Sequence, residues 1–182
     1  RDISDRYKLA GPPAHIARRV HKNLLHLKKL VPPRVCAAVL RTIWNGWCTE
    51  RRFQRRWGSS NVCMLGCKGG AEDSIEHYPQ CPVVQQAIRS QLRVHVPNGR
   101  AMSFWMMNEC PTNDSEEFLM AYALIIYATY NATNIYRKNG LRNSERAFDC
   151  VKQFVIQGVR GHEKATQFLD TRYSLGHILR ID

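Results

Sequence analysis

One spacing constrains this chain more than any other pattern in it: C-x3-C-x9-H-x3-C, formed by Cys63, Cys67, His77 and Cys81. Two cysteines on a tight turn closed by Gly66 and followed by Gly69-Gly70 can direct two thiolates at one point. A histidine and a cysteine four apart can face the same way from one helical turn. Two readings follow. Three thiolates and an imidazole can close a tetrahedral Zn2+ site with no vacancy for water, which is structural rather than catalytic chemistry. The alternative is a loop whose thiols fall together by chance. A segment this poor in core residues is hard to order without a metal, which favours zinc. Asp73 or Glu76 is expected to accept a hydrogen bond from His77 and orient its ring.

The remaining cysteines carry no such pattern. Seven in all, irregularly spaced and odd in number, they argue against a secreted disulfide framework. They leave an intracellular, nuclear or organellar setting without choosing among them. Cys36 lies in an apolar helical stripe and Cys150 borders one, so both read as small buried residues. Cys48 and Cys110 receive no role. Residues Arg1 to Lys8 carry no apolar stretch of the kind a signal peptide has. The longest apolar run, Phe118 to Ile126, is far short of the roughly 20 residues of a membrane span.

Breakers and periodicity divide the chain into helices. Gly11-Pro12-Pro13 opens an amphipathic helix over Ala14 to Val31. Ile16, Val20, Leu24, Leu27 and Leu30 or Val31 point inward, and Arg18, Arg19, Lys22, Lys28 and Lys29 form a basic outer face. Pro32-Pro33 ends it. A second helix is expected from Arg34 to Trp44, broken at Asn45-Gly46. Thr49 is the expected cap of a short helix from Glu50 to Trp57. Further helices are expected over Pro82 to Val94, from about Asn113 to Lys138, and from Ser144, as cap, to Gln157. A short helix or strand falls at Ala101 to Met107, and another short helix after Gly161. The helix near 113–138 is apolar on most of its circumference and reads as the central core element. With 44% apolar and 23% charged residues, usage is that of an ordinary globular chain, which excludes wholesale disorder. The expected fold class is mainly α, a helical domain with an inserted Cys3His zinc knuckle. Its divisions are a basic helical segment over 1–57, the knuckle over 58–82 and a helical core over 83–182.

Charge is distributed unevenly along this frame. The net charge is +12, and residues 1–57 hold 14 Lys/Arg against 3 Asp/Glu, leaving the rest of the chain nearly neutral. A localised basic field suits a polyanion, most often nucleic acid, because phosphates neutralised by the protein release counterions. An acidic protein surface is the other partner it fits. Arg51, Arg52, Arg55 and Arg56 make the densest cluster. With Arg18, Arg19, Lys22, Lys28 and Lys29 they are the candidate nucleic-acid contacts. Trp44, Trp47, Phe53 and Trp57 can stack on unpaired bases, or can simply be core of the knuckle, the more common fate of aromatics at helical spacing.

Three stretches together resemble a known family. They are Val39-Leu-Arg-Thr-Ile-Trp-Asn-Gly-Trp-Cys-Thr-Glu-Arg-Arg-Phe53, the pair Cys63 and Cys67, and Glu72-Asp-Ser-Ile-Glu-His77-Tyr-Pro-Gln-Cys81-Pro82. They resemble the zinc-binding region downstream of the polymerase domain in non-LTR (LINE-like) retrotransposon reverse transcriptases. The likeness is tight over about 34–82, looser over 113–139, and says little of 140–182. The chain has C-x3-C where that family often has C-x2-C. It also has no adjacent pair of Asp and no set of palm carboxylates for two-metal chemistry. The resemblance therefore implies an accessory nucleic-acid-binding module, RNA favoured, and not an enzyme. Such a module is either part of a larger element or domesticated. The alternative is a domesticated scaffold subunit of a larger organellar or ribonucleoprotein complex. His95, His162 and His177 are lone histidines without a partner pattern for catalysis, and the sequons at Asn113 and Asn131 read as chance.

Overall fold

Prolines set the start of three helices, because a residue without an N–H costs nothing at a position where that N–H has no helical partner. In the computed structural model, which describes residues 3–53, 62–95, 99–109, 115–140, 143–175 and 179–180, Pro13 opens α2 (Pro13–Leu27), Pro33 opens α3 (Pro33–Ile43) and Pro82 opens α5 (Pro82–Ala87). Around them lie α1 (Ile3–Tyr7), α4 (Glu50–Phe53), α6 (Ala101–Trp105), α7 (Ser115–Asn139), α8 (Ser144–Val159) and α9 (Glu163–Leu175). The expected mainly helical class with its Cys3His cluster is what forms.

Helix α7 is the spine. Residues Phe118 to Ile126 are buried without interruption, and α8, α3, α2, α5, α6 and α9 all pack on it. Its first-turn acids sit at the positive helix end. There Glu116 takes Lys164 at 2.5 Å and His26 at 2.9 Å, and Glu117 pairs with Arg172. The bonds from Lys164 and His26 hold the Glu116 carboxyl below its usual range. Helix α3 is joined to the far end of α8 by Arg34, whose guanidinium donates to the carbonyls of Gln157, Gly158 and Arg160. Carbonyls at a helix end lack part of their internal hydrogen bonding, although that of Gln157 also takes the Arg160 N–H at 3.3 Å.

Several boundaries differ from expectation. Helix α2 stops at Leu27, because the chain tightens through i→i+3 bonds (Lys29 to His26, Leu30 to Leu27) before Pro32 forces extended backbone; Leu30 and Val31 are nevertheless buried. The helix expected over Pro82 to Val94 passes into a π-helical turn at Ile88–Leu92. Arg93 then breaks it at φ 53°, and Val94 joins a strand. That strand, β1 (Val94–His95), pairs in parallel with β2 (Leu179–Arg180), a pairing of distant segments that no local pattern announces. The cap of α8 is Asn143, whose Oδ1 accepts from the Arg146 N–H at 3.0 Å, not Ser144, which falls inside the helix. Asn131 lies in α7 with its amide donating to the Tyr127 carbonyl.

At Gly158, α8 approaches α7 too closely for a side chain. A Cβ there would stand 2.8 Å from Leu124 Cδ2 and 3.3 Å from the Tyr127 ring. Gly158→Val is expected to lower unfolding stability by about 2 kcal/mol through overpacking. Gly158→Ala is expected to cost less, since alanine regains up to about 1 kcal/mol of helix propensity. Urea unfolding followed by circular dichroism checks both.

Candidate metal centre

Turn geometry delivers the four candidate ligands. Cys63 lies beside an antiparallel bridge between Val62 and Glu72, with its N–H donating to the Ala71 carbonyl at 2.7 Å. The chain then turns back through Gly66 at φ 68°, whose N–H reaches the Cys63 carbonyl at 3.0 Å, and through Gly69 and Gly70, both at positive φ. Glycine accepts that backbone without strain. On the other side, the His77 N–H is taken by the Ser74 carbonyl and hydroxyl, each at 3.2 Å, and a 3₁₀ turn (Tyr78–Gln80) brings Cys81 round to the same point. Cys81 then caps α5 ahead of Pro82.

The side chains meet. The three sulfurs and one imidazole nitrogen all lie within 4.8 Å of one another. Cys63 Sγ is 3.8 Å from Cys81 Sγ, and Cys67 Sγ is 3.3 Å from His77 Nε2. None of the three cysteines is disulfide-bonded. Cys63 and Cys81 are buried; Cys67 and His77 form the half-exposed side. Their proton chemistry fits a cation-binding set. The hydrogen bond from Cys81, with His77 adding to it, draws the Cys63 thiol down to about 4 against the effect of burial. Burial and the Cys63 charge push Cys67 up to about 11. The bond Cys81 makes to Cys63, together with burial, pushes Cys81 up as well. Cys63 is thus the thiol that ionises first, and its charge works against ionisation of the other two. All three can ionise together only when a cation stands between them. The residues present fit a single metal ion.

The segment is less poor in core residues than its composition suggests. Met64, Leu65, Ile75 and Tyr78 are all buried and belong to the same apolar cluster as the helices. Asp73 and Glu76 do not serve His77. Glu76 pairs with Arg6 of α1 at 3.2 Å. Asp73, 0% exposed, accepts from the Glu50 N–H at 2.9 Å, from the Tyr78 hydroxyl, and from Arg137 of α7 at 2.9 Å. Burial and the Asp73 charge push the Tyr78 hydroxyl well above its ordinary value, so it stays a donor. One carboxylate thereby fastens the knuckle, the start of α4 and the last turns of α7. Sequence reading missed this role, since Arg137 stands 64 residues from Asp73.

The candidate nucleic-acid contacts are distributed over two elements. Arg18, Arg19, Lys22, Lys28 and Lys29 are exposed on or just beyond α2, with Arg19 also reaching Asn108 at 3.2 Å. Thr49 caps α4 as expected, its hydroxyl taking the Arg52 N–H at 3.3 Å. Arg51 is exposed and pairs with Glu72 at 3.1 Å; Arg52 reaches the Trp47 carbonyl and lies over the Phe53 ring. Arg55, Arg56 and Trp57 lie outside the described residues. Of the aromatics, Trp47 is 1% exposed, bonded to Thr42 and packed on Tyr78, Trp105 and Tyr130, so it is core and unavailable for stacking. Trp44 and Phe53 are 70% and 52% exposed. Among the described residues no helix is long and apolar enough to cross a membrane. Comparison with protein families, with characterised proteins and with solved structures gives no match for this chain.

The purified chain is expected to hold one divalent ion per molecule, read by elemental analysis. Cys63→Ser and Cys81→Ser are expected to lose it. Acidification is expected to release it, because protons then compete with the ion for the ligand sulfurs. An ion retained at full stoichiometry in Cys63→Ser rejects the site. Asp73→Ala in the metal-loaded protein is expected to cost about 3 kcal/mol of stability, since it leaves Arg137 largely buried without its counter-charge. A urea midpoint equal to that of the unaltered protein would show the clamp to be idle.

Proposed function

We propose that this chain is a non-catalytic nucleic-acid-binding module, RNA favoured, whose knuckle is stapled by one structural Zn2+. The donor set supports zinc. Tetrahedral bonds of about 2.3 Å to sulfur and about 2.0 Å to nitrogen place neighbouring donors about 3.5 to 3.8 Å apart, close to the 3.8 and 3.3 Å separations at Cys63–Cys81 and Cys67–His77. Four protein ligands leave no open position, so the ion's work is to hold the fold. The resemblance of residues 34–82 to the region following the polymerase in LINE-like reverse transcriptases points the same way. The chain has no carboxylate set for polymerisation.

The observation that carries the binding proposal is the run from Arg6 to Thr49, which contains nine Lys/Arg and no Asp or Glu. Within it, Arg18, Lys22, Lys28 and Lys29 are exposed and have no acidic partner among the described residues. Cations so placed are available to phosphate, and the counterions they displace supply a large part of the affinity. Arg51 adds an exposed guanidinium whose surface pair with Glu72 is weak and readily exchanged.

Labelled single-stranded RNA is expected to bind with an affinity that falls steeply with salt. Neutralising Arg51, Arg52, Arg55 and Arg56 to Gln is expected to flatten the log K against log salt slope by up to about one unit for each phosphate no longer neutralised. Binding that ignores salt, or no binding, rejects the proposal. A scaffold subunit would instead show nuclease-resistant association with protein.

A further inference from the structure

We propose that the groove between α2 and the C-terminal end of α3 is a docking site for an acidic amphipathic helix of a protein partner. The groove holds about 290 Å³ and is walled by Leu9, Ile16, Val20, Leu24, Ile43 and Trp44. Trp44 is 70% exposed, the largest exposure of any large apolar side chain among the described residues. That volume falls just below the roughly 300–1,000 Å³ of small-molecule pockets. It suits one or two apolar anchors of a helix seated at i, i+3 or i+4 spacing. Besides the Trp44 indole, His21 is the only side chain on the wall with a hydrogen-bonding group. A wall with so few such groups cannot read the edge of a nucleic-acid base, which needs several.

The occupant's charge follows from the helix itself. Ala17, His21, Leu24 and Lys28 form one stripe of α2 and its C-cap, and the first three line the groove. The adjoining stripe is Arg18, Lys22, Leu25 and Lys29, all exposed, with Leu25 at 46%. None of the four cations in these stripes has an acidic partner among the described residues, and α2 and α3 contain no acidic residue. An apolar slot rimmed by unpaired cations is complementary to a helix with an apolar seam and acidic flanks. A basic helix would meet repulsion along its whole length.

The probe is a synthetic peptide of about four helical turns, with Leu at i, i+3, i+4 and i+7 and Glu elsewhere. It is compared with its Lys-for-Glu counterpart and a scrambled acidic sequence. Binding to the intact, metal-loaded chain is read by fluorescence anisotropy. The acidic amphipathic peptide is expected to bind, and the other two are not. Trp44→Ala, a change at an exposed site checked by an unaltered melting curve, is expected to weaken it about tenfold, as loss of an anchor does. Lys22→Glu with Lys28→Glu is expected to weaken the acidic peptide and admit the Lys version. Equal binding of ordered and scrambled acidic peptides, indifference to Trp44→Ala, or no peptide binding overturns the proposal. So does a result in which single-stranded RNA, and not the peptide, loses affinity on Trp44→Ala, since the groove would then be part of the nucleic-acid surface. RNA binding that fails in the arginine variants leaves the peptide outcome untouched, so the two readings fail separately.

Discussion

Three sulfurs and an imidazole brought within 4.8 Å of one another create the electrostatic problem around which this fold is arranged. Without a cation, only one of the thiols is readily ionised, and each further charge would sit against the first with little water to screen it. A divalent ion would turn that repulsion into attraction and would tie the hairpin from Val62 to Glu72 to the 3₁₀ turn that follows His77. That tie matters beyond the knuckle. Cys81 is also the residue on which α5 begins, so the position of the ligand cluster sets where the central helices receive the chain.

The apolar residues of the knuckle and a single buried carboxylate do the rest of the fastening. Met64, Leu65, Ile75 and Tyr78 put the underside of the cysteine turn into the common core. Asp73 holds it there by accepting bonds from α4, from Tyr78 and from Arg137. A buried ion pair adds little net stability, but breaking one side is costly, so such a pair fixes which surfaces meet. Here it fixes α4, with its arginines, as a shoulder against the cysteine turn. The Schellman-like end of α3 performs a related task. Asn45 at φ 53° and the Gly46 N–H bonded to the Arg41 carbonyl turn the chain sharply enough to send Trp47 inward while leaving Trp44 outside.

Elements whose causes are local were legible in the sequence. Prolines at the starts of α2, α3 and α5, the Thr49 cap, the acids opening α7 and the basic residues ending it all act within a turn or two of where they stand. The ligand set was legible for the same reason, since thiol and imidazole spacing is itself local. What escaped depends on segments far apart in the chain. The parallel pairing of β1 with β2, the Asp73–Arg137 bond and the Arg34 cap on α8 each join residues that no periodicity connects. The end of α2 escaped for a subtler reason: Leu27, Leu30 and Val31 are all buried, as periodicity suggests, but a 3₁₀ tightening, not helix, places the last two.

The location of the positive field follows from what the acids are doing. Glu72, Asp73, Glu76, Glu109, Glu116 and Glu117 are each paired with a cation, most of them joining one element to another: α1 to the knuckle, the knuckle to α4 and α7, α7 to α2 and α9. These carboxylates are committed to internal fastening and draw on cations from every part of the chain. The acid-free run from Arg6 to Thr49 has no such carboxylates of its own, so the cations of α2 and its C-terminal turn that no distant acid reaches keep their charge facing outward. Because α2 turns by about 100° per residue, it can give one stripe to the core, one to the Trp44 groove and one to solvent. The apolar and cationic faces stay adjacent without mixing, and a partner that meets one must also meet the charge beside it.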